Sequence, residues 1–364
     1  MLLYSLGVIR IRAGSSAPVR ITFPGINSRR IYMVSAKKFF RSFASVIAAS
    51  VMTVSLALIP SISVRAIPGI NELTFLPTSA PELQRPVAVM IDNDAIASPH
   101  YGLGEADIVY EMVNSTKNRR VTRLMAIYKD YNSVSRIGNI RSTRPTNVIL
   151  ADEYNAILVH DGGPVYVNPF ITQYALPHLS GGFSRIPNGK PSWYTEYALR
   201  GEISRKITAA RIPVNYTNPV CAQTRFHFGA NPMAGGVPAG TCSLPFPHNS
   251  TILKYNALTA TYDFYELGTA VKDADDFQQV TFKNVIIQCA PMIEYDQNGY
   301  MIYGVIGTGV GYYLTNGKAV AITWFKDVVG HTVYFNLDGT PLTVNPGKTY
   351  IGIVPADSWG LVAF

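Results

Sequence analysis

No aspartate or glutamate occurs before Ile67, although nine of the chain's 31 lysines and arginines do. The formal charge of +8 therefore belongs to the leader. Past residue 66, 22 basic residues face 23 acidic ones, a net of −1. A body so nearly neutral offers no broad positive surface, which excludes a nucleic-acid partner. Catalytic signatures are missing as well: no GxSxG elbow, Walker loop or HExxH occurs. With six scattered histidines and no CxxC or HxxxH pair, neither a metal nor a cofactor is expected. Cysteine is scarce, at three. What is abundant is apolar: 48% of residues are hydrophobic and 15% charged, the balance of a globular chain.

The leader reads as an export signal. Met33 to Arg41 is a basic n-region, Ala44 to Ile59 an apolar h-region, and Val64-Arg65-Ala66 has the small-x-small form that precedes cleavage. The true start is expected at Met33, with residues 1–66 as leader and signal peptide. Cleavage leaves a secreted, extracytoplasmic protein of the cell envelope with no membrane span. An uncleaved anchor is the alternative, although the h-region is shorter than the roughly 20 residues a spanning helix prefers. No cysteine lies near the cut, so lipid modification is excluded there. Export puts Cys221 and Cys242 in an oxidising setting, where a bridge between them would staple the Gly/Pro-rich loop. Closing that loop is worth on the order of 3 kcal/mol. Cys289, in the strand-like run NVIIQC, is expected as a buried free thiol.

The 364 residues suggest roughly two domains. The pattern is that of an α+β protein: a flexible tether over 67–84, a mixed α/β cleft domain over 85–247, and a β-rich antiparallel domain over 248–364. Val87 to Ile91 is continuously apolar, as a strand covered on both faces must be. It ends in Asp92-Asn93-Asp94, where α/β folds place ligand contacts, although Asx residues also stop strands by turn chemistry. Ala106–Val113 and Val121–Lys129 form a hairpin. If its turn centres on Lys117, Glu111 falls opposite Arg123, as a structural ion pair or as half of a site.

Arg144 precedes Pro145, which keeps it out of helical geometry, and TNVILADEY continues a helix from that proline. Arg141, Ser142, Thr143 and Arg144 then crowd a helix start, where N–H groups, hydroxyls and guanidiniums suit a carboxylate or phosphate. The alternative is a clamp on Asp152, Glu153 or Asp107. Ala156–His160 is a further buried strand, running into His160-Asp161-Gly162-Gly163. His160 there is a general base, a donor to substrate, or a satisfied structural residue. The two glycines let a ligand approach the backbone. Trp193, Tyr194 and Tyr197 either wall the cleft or simply pack. Glu196–Ala210 reads as a helix. From Thr251 on, seven strand-like runs alternate with the hairpin pairs Asn298-Gly299, Asn316-Gly317, Asp338-Gly339 and Pro346-Gly347. The GTGVG run at 307–311 lacks dinucleotide-loop spacing and is expected as a bulge or tight turn.

The runs RPVAVMIDN, GLGEADIVYE, IGNIRSTRP and AILVHDGG, in this order, resemble the exported bacterial family DUF3048 over about residues 80 to 360. Arg141-Ser142-x-Arg144-Pro145 and His160-x-Gly162-Gly163 match its motifs. The resemblance implies two adjoining domains and export to the envelope, and it carries no established activity. The lipid-bearing cysteine of many members is missing, and Asp161 stands where a small residue is common.

Three functions fit these features. The first is a binding or regulatory module that takes an anionic ligand, such as a cell-wall component or an envelope protein's carboxylate or phosphate. Its contacts would be Arg123, Arg141, Ser142, Arg144, Asn93, Gly162 and Gly163. The second is an envelope hydrolase or transferase acting on wall polymers, with His160, Asp92 and Glu111 as acid–base residues. The third is a scaffold whose charges pair internally.

Overall fold

In a computed structural model of the chain, the described residues are 67–364 with the exception of 329. The expected signal peptide, cleavage site and start at Met33 lie outside them. The frame is one eleven-stranded sheet. Its strands are β1 (Val87–Asp92), β2 (Ile108–Val113), β3 (Thr122–Tyr128), β4 (Ile157–His160), β5 (His178–Ser180), β6 (Val237–Pro238), β7 (Asn284–Ala290), β8 (Gly307–Thr315), β9 (Lys318–Lys326), β10 (Val333–Asn336) and β11 (Thr349–Pro355). The order is β6-β9-β8-β7-β11-β2-β3-β1-β4-β5, with β10 beside β9.

Every residue of β1, β2, β3, β4 and β11 is buried, because both faces of the central sheet are covered. The fold is α+β with little helix. Two features of the large sheet differ from the sequence reading. The C-terminal region is not purely antiparallel, since β11 runs parallel to both β7 and β2. By lying between them, β11 also joins strands from both sides of residue 248 edge to edge in one sheet. β2 and β11 pair across more than 200 residues of chain, so no local pattern announces that pairing.

A second, antiparallel sheet is built on Thr241–Ser243, Ile252–Asn256 and Thr261–Glu266. It covers one face of the large sheet, where Phe264 and Phe282 pack against Tyr350 with ring centres 5.7 and 5.6 Å apart. On the central strands, helix α1 (Pro145–Asp152) is buried from Pro145 to Ala151. Helices α2 (Asn168–Gln173) and α3 (Glu202–Ala209) are short. The helix expected over 196–210 begins late: Glu196–Leu199 is a strand, and Gly201 at φ +73° turns the chain into α3. The residues read as a tether are pinned instead. Leu73 is fully buried, and Glu72 accepts from Lys129 Nζ at 2.9 Å.

The GTGVG run is neither bulge nor turn but the first half of β8, in regular register with β9. Its glycines make room. A Cβ on Gly309 would stand 2.6 Å from the Trp324 indole, and one on Gly311 would stand 2.6 Å from the Ile287 carbonyl. All three cysteines are free thiols, so the expected Cys221–Cys242 bridge is not present. Cys242 is buried in the second sheet opposite Leu253, whereas Cys221 lies near the Glu153 carbonyl at the end of α1.

Candidate functional site

Asp92 ends β1, and antiparallel pairing sets it directly opposite Arg123 of β3. Paired residues project to the same face. Arg123 Nη2 accordingly lies 3.6 Å from Asp92 Oδ1, while Arg141 Nε donates to Asp92 Oδ2 at 2.8 Å. Arg141 arrives on the segment leading into α1, held by its N–H to Met90 O at 2.9 Å. Arg144 is the N-cap of α1 and is extended, at φ −134°, as a residue before proline must be. Asn147 Oδ1 accepts from its N–H at 3.0 Å. Its guanidinium sits over Tyr300, 3.7 Å from the ring centre, and its Nη1 donates to Thr143 O at 2.8 Å. The turn after β4 runs alongside: Asp161 N–H donates to Arg141 O at 3.0 Å, and Thr143 N–H to Gly162 O at 3.2 Å. Gly162, at φ +71°, and Gly163 leave this turn exposed.

Three guanidiniums thus gather at the end of β1, and Asp92 contacts two of them. Arg123 and Arg144 are 7% and 5% exposed. Among the described residues, Arg123 Nε and Nη1 and Arg144 Nε have no hydrogen-bond partner. Leaving such donors unmet when buried costs about 1–3 kcal/mol each, and more on a charged group. Burial pulls the Arg123 pKa down, against the pull of Asp92. Burial and the charge of Arg123 bring Arg144 down to about 10. Burial would raise the Asp92 carboxyl, but Arg123 and Arg141 outweigh it and hold it below the usual carboxylate range. Arg141 stays open, with 28% of its side chain exposed and Tyr194 5.8 Å away.

Two of the three acids expected as clamps are engaged elsewhere. Asp107 accepts from Asn71 and from the Lys129 N–H, and Glu153 binds Arg225, Lys326 and Thr332.

Two sequence candidates do not join the cluster. The hairpin register places Glu111 opposite Leu124 and Arg123 opposite Met112, one residue away from the expected pairing. A one-residue slip exchanges faces. The turn centres between Lys117 and Asn118 rather than on Lys117, with Asn118, Arg119 and Arg120 all at positive φ. Glu111 therefore points beneath the second sheet, where it accepts from Thr122 Oγ1 at 2.8 Å, Thr251 Oγ1 at 2.9 Å and Tyr350 O–H at 2.6 Å. Beside it, Glu266 accepts from Asn93 Nδ2 at 2.6 Å, so Asn93 also serves that face. Burial raises both acids, and the charge of Glu111 drives Glu266 well above the usual range.

His160 is on the arginine-bearing side of β4 but is occupied at both nitrogens. Its Nδ1–H donates to Gly162 O at 2.7 Å, which makes Nε2 the acceptor of His178 Nδ1–H at 3.0 Å. Burial lowers its pKa to about 4, keeping the ring neutral. Ser142 Oγ donates to Asp161 O at 2.8 Å and steadies the turn. Sequence reading missed Tyr300, Glu266 and His178. Tyr300 follows the Asn298-Gly299 turn and could have been suspected as an aromatic at a hairpin tip; the other two carry no local signal. Among the described residues, no three His, Cys, Asp or Glu side chains converge to hold a metal ion.

Residues 73–212 match the family described as "Protein of unknown function (DUF3048) N-terminal domain" and residues 242–351 match its C-terminal domain. The chain belongs to the DUF3048 family. It is 28% identical over 285 residues to the Bacillus subtilis (strain 168) protein named "Putative lipoprotein YerB", covering 75% of this chain and 82% of that one. The crystal structure of B. subtilis YerB is similar, with a TM-score of 0.69 at 25% identity over 79% of this chain and 98% of that chain.

Proposed function

We propose that the chain is an extracytoplasmic binding module of the cell envelope that recognises an anionic group through Arg123, Arg141 and Arg144. The observation that carries the reading is the set of unmet, buried guanidinium donors beside an exposed turn. A protein that only needed stability would do better with apolar residues at such positions. An incoming anion supplies the missing acceptors and offsets the repulsion between Arg123 and Arg144. The export-type leader, and the lipoprotein name of the B. subtilis relative, support the location. A wall component or an envelope protein would supply the anion.

The hydrolase or transferase reading has less support. Of its three acid–base candidates, Glu111 faces away, Asp92 is committed to two guanidiniums, and His160 has no free nitrogen. The test is a thermal-shift screen of the purified protein against phosphates, carboxylates and wall fragments. A bound anion raises the melting temperature, and Arg123→Met abolishes the rise. If no anion raises it in the unsubstituted protein, the proposal fails.

A further inference from the structure

Building on that anion-binding reading, we infer that the group taken by this site is the dianionic phosphoryl of a phosphomonoester carried on a ring. Charge comes first. Among the described residues Asp92 contacts Arg123 and Arg141, while Arg144 is contacted by no carboxylate and stacks on Tyr300. Asp296 also acts on Arg144 through space, so three guanidiniums face two carboxylates. That leaves a net positive charge for an incoming anion, and a phosphomonoester near neutral pH brings almost two negative ones.

The count of donors agrees. Arg123 Nε, Arg123 Nη1 and Arg144 Nε are three unmet N–H donors. A phosphomonoester presents three terminal oxygens, one for each donor, whereas a carboxylate would have to take two of the donors on one oxygen.

The rim then speaks for a ring. Tyr300 stacks on Arg144 and Tyr194 lies over Arg141. Trp193 stands 6.1 Å from Tyr194, and Tyr166 stands 4.4 Å from Tyr295, centre to centre. Trp193 is 50% and Tyr295 36% exposed. Aromatic faces beside a cationic floor suit a sugar or another flat ring whose phosphate reaches inward. The exposed Gly162-Gly163 turn leaves the approach unobstructed by side chains.

Calorimetric titration of the whole protein at constant ionic strength, with phenyl phosphate, methyl phenyl phosphate and benzoate as probes, separates the classes. Phenyl phosphate is expected to bind at least tenfold tighter than either monoanion at pH 7.5. That advantage should fall as pH drops below about 6, where the second phosphate proton returns. Arg144→Met, checked for an intact melting transition, should remove the advantage, and Arg144→Lys should retain part of it. Equal binding of benzoate and phenyl phosphate overturns the phosphoryl assignment and leaves anion recognition standing. Absence of binding by all three probes overturns both.

Discussion

Glu111 and Glu266 meet where water does not reach, and the hydrogen bonds decide which of them keeps the proton. Glu111 spends its oxygens accepting from three hydroxyls, so it is the carboxylate. Glu266 accepts from Asn93 and is the group driven up by its neighbour's charge, so it holds the shared proton. Glu266→Gln replaces that O–H with an amide N–H of the same shape, and near pH 5 stability should change by less than about 1.5 kcal/mol.

The two proteins should then diverge. A group whose folded pKa is raised contributes stability that is complete below its unfolded value and is lost as pH rises toward the folded value. The slope is about 1.4 kcal/mol per pH unit for one proton. The variant has no such proton. As pH rises above 5 it should therefore gain stability relative to the unsubstituted protein. Urea unfolding at a series of pH values measures this directly. Glu111→Gln is the contrasting control: it strands hydroxyl donors in the core and should cost about 2–4 kcal/mol throughout. Parallel stability curves for Glu266→Gln and the unsubstituted protein would refute the shared proton.

Asp92→Asn should cost about 3–5 kcal/mol in urea unfolding, because it strands two guanidiniums. Since the Asp92 pKa is lowered in the fold, its contribution is present above its unfolded pKa and is lost as pH falls through the folded value. The acid limb of the stability profile should therefore flatten in this variant. Arg144→Met should behave differently. A charge kept on a guanidinium brought down to about 10 costs about 3 kcal/mol relative to water. Stacking on Tyr300 returns up to about 2 kcal/mol, and the bond to Thr143 O about 1 kcal/mol. Stability should stay within about 1 kcal/mol, and a loss above 3 kcal/mol would mark Arg144 as a structural clamp. Protein purified without reductant should release all three thiols to Ellman's reagent when unfolded. Cys242, buried and pushed up to about 12, should be silent when folded; a single reactive thiol on unfolding would contradict the fold's free cysteines.

Much of the centre was legible because it obeys local rules. Continuous Val, Ile and Met mark β1 as a strand covered on both faces, Arg144-Pro145 marks the start of α1, and the Asn-Gly pairs mark hairpins. The arginines and the glycine turn were brought together as the motifs suggested, since the backbone bonds between 141–143 and 161–162 follow from β4 running beside β1. What failed was non-local or depended on single-residue register. The fate of Glu111 hung on one position in the turn at 118–120, where successive positive φ values cannot be read from Asn-Arg-Arg. The insertion of β11 between β2 and β7 depends on pairing across most of the chain. The GTGVG glycines serve Trp324 and Ile287 from neighbouring strands, a cause that spacing does not display. Composition could place Cys221 and Cys242 in an oxidising setting but could not show that they lie in different parts of the fold.

The most direct measurement of the central claim observes the unmet donors themselves. In protein labelled with 15N-arginine, the Nε–Hε resonances of Arg123 and Arg144, assigned by substitution, should move together and exchange more slowly with water as phenyl phosphate is added. Those of Arg120 and Arg225, already bound to Asp357 and Glu153, should stay in place. If the Arg123 and Arg144 signals are unchanged at saturating anion, the buried guanidiniums are not a receptor.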